Sequence, residues 1–259
     1  MSRKIPKVKK GLIYMRTIGV FLSLTLFLII SLPIYLISLI VGLFSRHAKV
    51  AFSQKLAAIC FRFVLLFSGT KRIVLGLENV PKDEAVLYAA NHRGFADIPV
   101  GYVTLPTLTG FVAKKDIAKI PLMSWWMRNL NCLFLDRDDL KAGLKTILQG
   151  IEYMKEGYSM FIMPEGTRSQ GEEMLPFKEG SLKMAEKTGC AIIPVAITNS
   201  DAVFERQAPW VKKATVIIHY GKPIYPNEVD KETKKHLGAH VRSVISEMLE
   251  KDKNLITKK

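Results

Sequence analysis

Between Thr17 and Ser45 the chain runs for 29 residues without a charged side chain: TIGVFLSLTLFLIISLPIYLISLIVGLFS. About 20 apolar residues suffice for a helix to cross a bilayer, so this run confines the N-terminal part to membrane contact rather than to a soluble core. It exceeds the apolar core of a secretory signal, about 7–15 residues, and no small-residue cleavage pattern follows it. Pro33 lacks an N–H and divides the run into two halves, each too short to span alone. A second apolar stretch, LAAICFRFVLLF (56–67), carries only Arg62 and is preceded by Lys49 and Lys55. Either residues 17–45 span the bilayer, or helices over 17–45 and 48–68 form a hairpin that dips into one leaflet. Basic residues flank both ends of the first run, whereas a spanning helix is expected to be asymmetric. The expectation is therefore the hairpin, inserted from the cytoplasmic face.

The distribution of charge supports an anionic membrane surface as a partner. Residues 1–77 hold twelve basic side chains and no acidic one, the first being Glu78, which leaves only +3 of the net +15 for the rest. A nucleic-acid-binding domain needs its own basic face with interleaved aromatics, and residues 78–259 do not supply that excess. Cations that flank an apolar run match anionic lipid instead. Cys60, Cys132 and Cys190 are few, odd in number and set among apolar residues, which excludes a disulfide framework and points to a reducing compartment.

Beyond residue 70 the pattern changes. EAVLYAA (84–90), TGFVA (109–113), NCLFL (131–135), SMFIM (159–163), AIIPVAI (191–197) and ATVIIHY (214–220) read as strands. Between them lie an amphipathic stripe through residues 140, 144, 147, 148, 151 and 154, a segment over 178–189 that ends in glycine, and a final helix over 231–253. The division is a basic, hydrophobic membrane-association segment, 1–69, and an α/β domain, 70–259. The expected fold is α/β, with a mixed, largely buried sheet flanked by helices and preceded by the hydrophobic two-helix segment.

Three polar clusters fall at the ends of apolar strands, where ligands gather in such sheets. NHRGFAD (91–97) sets His92 five residues before Asp97, which is followed by Ile98 and Pro99, a helix-start pattern. Asp97 either caps that helix alone, or folds back to fix the imidazole tautomer of a general base. LFLDR (133–137) and MPEGTRSQG (163–171) supply Arg137 and Arg168, forked donors suited to phosphate, although singly each also fits a surface ion pair. Gly166 permits close backbone approach and Thr167 adds a hydroxyl. Glu165 is the odd member beside an anion site and has to hold a hydroxyl or an arginine. Lys114 and Lys115 follow another strand. The chain has no G-x-S-x-G, so a base here acts on a substrate hydroxyl directly rather than through an acyl-enzyme. His236 and His240 have a metal-ligand spacing, but no third ligand is near and the segment reads as a solvated helix face.

Taken together and in this order, these blocks resemble the glycerolipid acyltransferases. NHRGFAD matches their NHxxxxD block, LFLDR the second, PEGTRS the third, and AIIPVAI the apolar fourth. AKKDIAKIPLMSWWMRNLNCLFLDR and LPFKEGSLKMA are similar to the 1-acyl-glycerol-3-phosphate acyltransferase branch, and the likeness covers roughly residues 70–225. Met163 stands where the family often has Phe, and Asp116 where Glu is common. The resemblance implies that His92 deprotonates the sn-2 hydroxyl of lysophosphatidate and that Asp97 orients it. It further implies that Arg137, Glu165, Gly166, Thr167 and Arg168 bind the glycerol phosphate, with Lys115 a further candidate. Backbone donors near Gly166 are expected to hold the oxyanion, a placement read from the residues and not from the resemblance. The acyl donor is acyl-CoA or acyl-carrier protein, no metal or other cofactor is expected, and the product is phosphatidate for phospholipid biosynthesis. Glycerol 3-phosphate or another lysophospholipid remains an alternative acceptor. A non-catalytic basic peripheral membrane protein is the alternative of another class.

Overall fold

The computed structural model describes residues 7–171 and 173–257, so Arg3 and Lys4 of the basic N-terminus lie outside it. Helix α1 spans Lys7–Phe44, and its 38 residues give it a length of about 57 Å. It runs through Pro33 without a break, contrary to the division expected there. The proline withdraws one donor, from the Ile29 carbonyl, and packing of α1 against its neighbours outweighs that local loss. Ser45 turns the chain into α2, Arg46–Ser68, its hydroxyl accepting the Ala48 N–H at 3.1 Å. Gly69 closes α2 in the left-handed region, φ +72, where a Cβ is disfavoured. The two helices lie against each other as the expected hairpin.

Polar contacts tie the hairpin to the domain. Trp126 Nε1 donates to Ser31 Oγ at 2.9 Å, Asn129 Nδ2 to Ser38 Oγ at 2.8 Å, and Val211 N to Thr17 Oγ1 at 2.9 Å. In α2, Gln54 donates to the Thr107 carbonyl at 2.7 Å and accepts the Thr109 N–H at 2.8 Å, so both ends of its amide are used. Arg46 pairs with Glu156 and stacks near the Tyr153 and Tyr158 rings. The outer surfaces stay apolar and exposed, with Ile18, Ile29, Ile30, Phe44 and Leu66 all open to the surroundings.

The domain is built on a seven-stranded sheet in the order β1-β7-β6-β2-β5-β3-β4. Its strands are β1 Lys71–Leu75, β2 Leu87–Ala90, β3 Thr109–Lys114, β4 Leu133–Leu135, β5 Ser159–Ile162, β6 Ile192–Thr198 and β7 Thr215–Tyr220. All neighbours are parallel except β6 and β7. The sheet is thus mixed, and the carboxyl ends of β6, β2, β5, β3 and β4 line one edge.

Alternate side chains feed two cores, as a pleat of period two requires. Tyr88, Phe111 and Phe161 face α2 and α3 (Asp97–Thr104), in a column where Tyr102 stacks on Phe111 at 4.3 Å and Phe111 on Phe161 at 4.5 Å. Each such pair contributes about 0.5–1.5 kcal/mol beyond area burial. Leu87, Met160 and Ile192 face α5 (Leu140–Lys155), α6 (Lys183–Thr188) and the C-terminal helix. That helix is broken, unlike the continuous one expected over 231–253. The first piece, Lys231–Lys235, follows α4 (Met123–Asn129), α5 and α6 as α7, and α8 is Leu237–Thr257, with His236 non-helical at φ −121, ψ 37.

Candidate active site

Strand β2 ends because Asn91 leaves the ladder with its side chain rather than its backbone. Its amide donates to the Ile197 carbonyl at 2.9 Å and accepts the Ile197 N–H at 2.7 Å, which locks the end of β2 onto β6. The chain then delivers His92 over the sheet edge. Both of its backbone groups are held: the N–H donates to Glu165 Oε1 at 2.7 Å and the carbonyl accepts the Ser169 N–H at 2.9 Å. The imidazole is therefore aimed by two bonds from the loop after β5.

Asp97 is the first residue of α3 and turns its carboxylate back into the loop, instead of using it to cap the helix. Its Oδ2 receives three donors: His92 Nδ1 at 2.7 Å and the N–H groups of Arg93 and Gly94, each at 2.9 Å. Its side chain is fully buried, that of His92 about one-fifth exposed. A carboxylate can only accept here, so Nδ1 carries the proton and Nε2 presents its lone pair. Among the described residues Nε2 has no partner, which leaves it available to a substrate.

Glu165 is buried, and its second oxygen accepts the Leu175 N–H at 2.8 Å. Burial pushes its carboxyl above the usual range, against the pull of the two backbone donors. With both oxygens taken, Glu165 braces the His92 loop and the loop to Leu175. Gly166 adopts φ +76 and spends its N–H on the Met163 carbonyl at 3.0 Å, so that amide serves the turn. The Thr167 side chain is exposed and its hydroxyl has no partner among the described residues.

The cations divide into paired and open ones. Arg168 donates from Nη1 to Glu205 at 3.1 Å and stacks 4.2 Å from the Phe95 ring centre. Lys115 is held by Asp136 at 2.8 and 2.9 Å with Asp138 3.4 Å away, and those carboxylates, Asp136 foremost, raise its pKa. Arg137 is exposed and makes no hydrogen bond or ion pair among the described residues. From β2 to β4 there are three inter-strand steps of about 4.8 Å, so Arg137 leaves the sheet edge roughly 14 Å from His92. Lys178 was not singled out in the sequence, yet its amine lies against Gly166, 3.2 Å from where a Cβ would stand. Asp201 and Glu205 were also missed, while Asn91 and Ser169 stood inside the NHRGFAD and PEGTRS blocks without a role of their own. NSDAVFE, a polar run directly after an apolar strand, carries the same signal that identified the other clusters.

An oriented histidine beside a row of cations, at the carboxyl ends of parallel strands, suits transfer to a hydroxyl on an anionic substrate. The acyltransferase family model matches residues 71–198, which takes in all of these clusters from His92 to Arg168. A 1-acyl-sn-glycerol-3-phosphate acyltransferase of Borreliella burgdorferi is 31% identical over 191 residues, 74% of this chain and 76% of that protein. One from Saccharomyces cerevisiae is 30% identical over 203 residues, covering 76% of this chain and 65% of the yeast protein. The crystal structure of the 1-acyl-sn-glycerophosphate (LPA) acyltransferase PlsC from Thermotoga maritima superposes with a TM-score of 0.73 at 27% identity, covering 92% of this chain and 98% of that one. The chain belongs to the 1-acyl-sn-glycerol-3-phosphate acyltransferase family.

Proposed function

We propose that the protein transfers a fatty acyl group from an acyl thioester to the sn-2 hydroxyl of lysophosphatidate, giving phosphatidate. The observation that carries this reading is the 2.7 Å bond between His92 Nδ1 and Asp97, which leaves Nε2 open at the sheet edge. Nε2 takes the proton of the acceptor hydroxyl as its oxygen attacks the thioester carbonyl. Asp97 stabilises the resulting imidazolium. The tetrahedral intermediate collapses with cleavage of the C–S bond, and the imidazolium returns its proton to the departing thiolate. Atoms and charge then balance: one ester and one free thiol replace one thioester and one alcohol. Arg137 and Arg168 hold the acceptor phosphate with Thr167 and Lys115 beside them, while Glu165 keeps His92 in register. With the Gly166 N–H engaged, the neighbouring amides of Thr167 and Arg168 are the donors assigned to the oxyanion in this reading.

The N-terminal hairpin sits in one leaflet at the cytoplasmic face. Both helices are long and apolar enough to cross a membrane. The bonds from the domain to Thr17, Ser31 and Ser38, however, extend over 22 residues, whose ends are about 32 Å apart along α1. The hydrocarbon core is about 30 Å thick, so a helix held to the domain along such a length is not free to cross it alone. That supports a helix lying in the interface, with its exposed apolar side in lipid.

The test is thiol release by the full-length protein in detergent. Acyl-CoA and acyl-carrier protein serve as donors, and lysophosphatidate and glycerol 3-phosphate as acceptors. Release that requires lysophosphatidate supports the proposal. Release with glycerol 3-phosphate alone changes the acceptor, and no release with any pair removes the reading.

A further inference from the structure

The segment after β6, NSDAVFERQ (199–207), lies outside the four blocks that carry the family likeness, yet it closes one wall of the site. Asp201 is nearly buried and pairs with Arg206 at 2.8 and 2.9 Å and with Arg93 at 3.2 Å. Glu205 joins two different site loops through a single oxygen. Its Oε1 accepts the Phe95 N–H at 2.7 Å, from within the loop that runs from His92 to Asp97, and Arg168 Nη1 at 3.1 Å. The other oxygen is buried without a partner among the described residues and lies against Gly94, where a Cβ would stand 2.6 Å from it. Glycine at 94 is thus what lets this carboxylate approach the catalytic loop so closely.

We infer that Glu205 is a positioning residue for acceptor binding, an inference that rests on the function proposed above. A carboxylate beside a phosphate site opposes an anionic ligand by charge, so its presence there calls for a compensating effect. That effect is orientation. Arginine has a long stem and five N–H donors in a rigid fork. Glu205 takes one of them and the Phe95 ring supports the guanidinium plane, which leaves the remaining donors free to meet the acceptor phosphate. The backbones of the two loops are already tied by the Ser169 N–H to the His92 carbonyl at 2.9 Å and by the His92 N–H to Glu165 at 2.7 Å. Glu205 adds the direction of the Arg168 side chain, which it holds against the Phe95 amide through the same Oε1, and so acts on headgroup affinity.

The experiment is a double-mutant cycle on the full-length enzyme, Glu205→Ala against Arg168→Ala, with KM for lysophosphatidate, KM for the thioester and kcat measured in each. Glu205→Ala is expected to raise KM for lysophosphatidate about 10-fold while the thioester KM and kcat stay within about 3-fold. In the Arg168→Ala background the same substitution is expected to leave KM for lysophosphatidate unchanged. Glu205→Gln keeps an acceptor for both donors and is expected to restore most of the affinity. Glu205→Asp, too short to reach both, is expected to behave like the alanine variant and serves the cycle if that variant does not fold. An equal KM rise in both backgrounds, or a parallel loss in kcat and in thioester KM, overturns the inference and reduces Glu205 to a scaffold residue. If the wild-type enzyme turns over the thioester but not with lysophosphatidate, the functional reading itself fails, and the inference with it.

Discussion

Replacing Asp97 by Asn tests the chemistry at the point where the geometry is most explicit. The carboxylate oxygen Oδ2 receives His92 Nδ1 at 2.7 Å and two backbone N–H groups at 2.9 Å. An asparagine that keeps its carbonyl oxygen at the Oδ2 position still accepts all three donors, and its NH2 takes the place of Oδ1, which is buried without a partner among the described residues. The His92 tautomer and position are then kept, and what is lost is the negative charge that stabilises the imidazolium formed when Nε2 takes the proton. A loss of about 10²–10³ in kcat, or about 3–4 kcal/mol, is expected here. The assay is lysophosphatidate-dependent thiol release, read as kcat and KM together. KM should move little, since Asp97 is fully buried and out of reach of the headgroup. Folding stability should fall by only about 1–3 kcal/mol, from the lost charge-assisted bonds. A folded Asp97→Asn enzyme that retains kcat within about tenfold of wild type would refute the base assignment.

Three further outcomes follow from individual contacts. Arg137→Ala should raise KM for lysophosphatidate about 10–100-fold with a smaller change in kcat, and Arg137→Lys should recover only part of it; an unchanged KM removes Arg137 from the clamp. Glu165 has a folded pKa above the ordinary 4.5, so its contribution to stability is full below that value and is lost as pH rises through the raised one. A Glu165→Gln variant should lack that fall in a pH series of thermal melts, while starting lower because one of two backbone donors loses its acceptor. Gln54→Leu strands the Thr107 carbonyl and the Thr109 N–H between α2 and the sheet. It should cost about 2 kcal/mol and lower Tm by about 5 °C, and an unaltered Tm would show that the hairpin is not coupled to the domain through this side chain.

What could be read from the sequence was set by burial. Strands such as LYAA, SMFI and IIPVAIT are enclosed on both faces, so their apolar runs stand out. Strand β1, KRIVL, was invisible for the opposite reason: it lies at the sheet edge with its basic residues in solvent, and its pairing with β7 comes from a distant part of the chain. Helix α4 hides in PLMSWWMRNL because its two tryptophans are divided between exposure and packing on α1, which no helical period reveals. Pro33 misled because local propensity is weighed without the neighbours that keep α1 straight. At the site, the spacing from His92 to Asp97 and the arginines were legible as residue types. Which cations are already paired was not. Glu205 reaches Arg168 across 37 positions and Phe95 across 110, and Glu165 reaches His92 across 73, contacts that depend on strand order rather than on any local pattern.

The central claim is that His92 removes a proton from a lysophosphatidate hydroxyl. The most direct measurement is lysophosphatidate-dependent thiol release by wild type and His92→Ala, both first verified as folded and bound to vesicles. The account predicts release by wild type, with the acyl group recovered at sn-2 of phosphatidate, and a loss of about 10³-fold or more in His92→Ala at unchanged vesicle binding. Comparable release by the two proteins would contradict it, and would leave the His92–Asp97 pair as part of the loop's architecture alone.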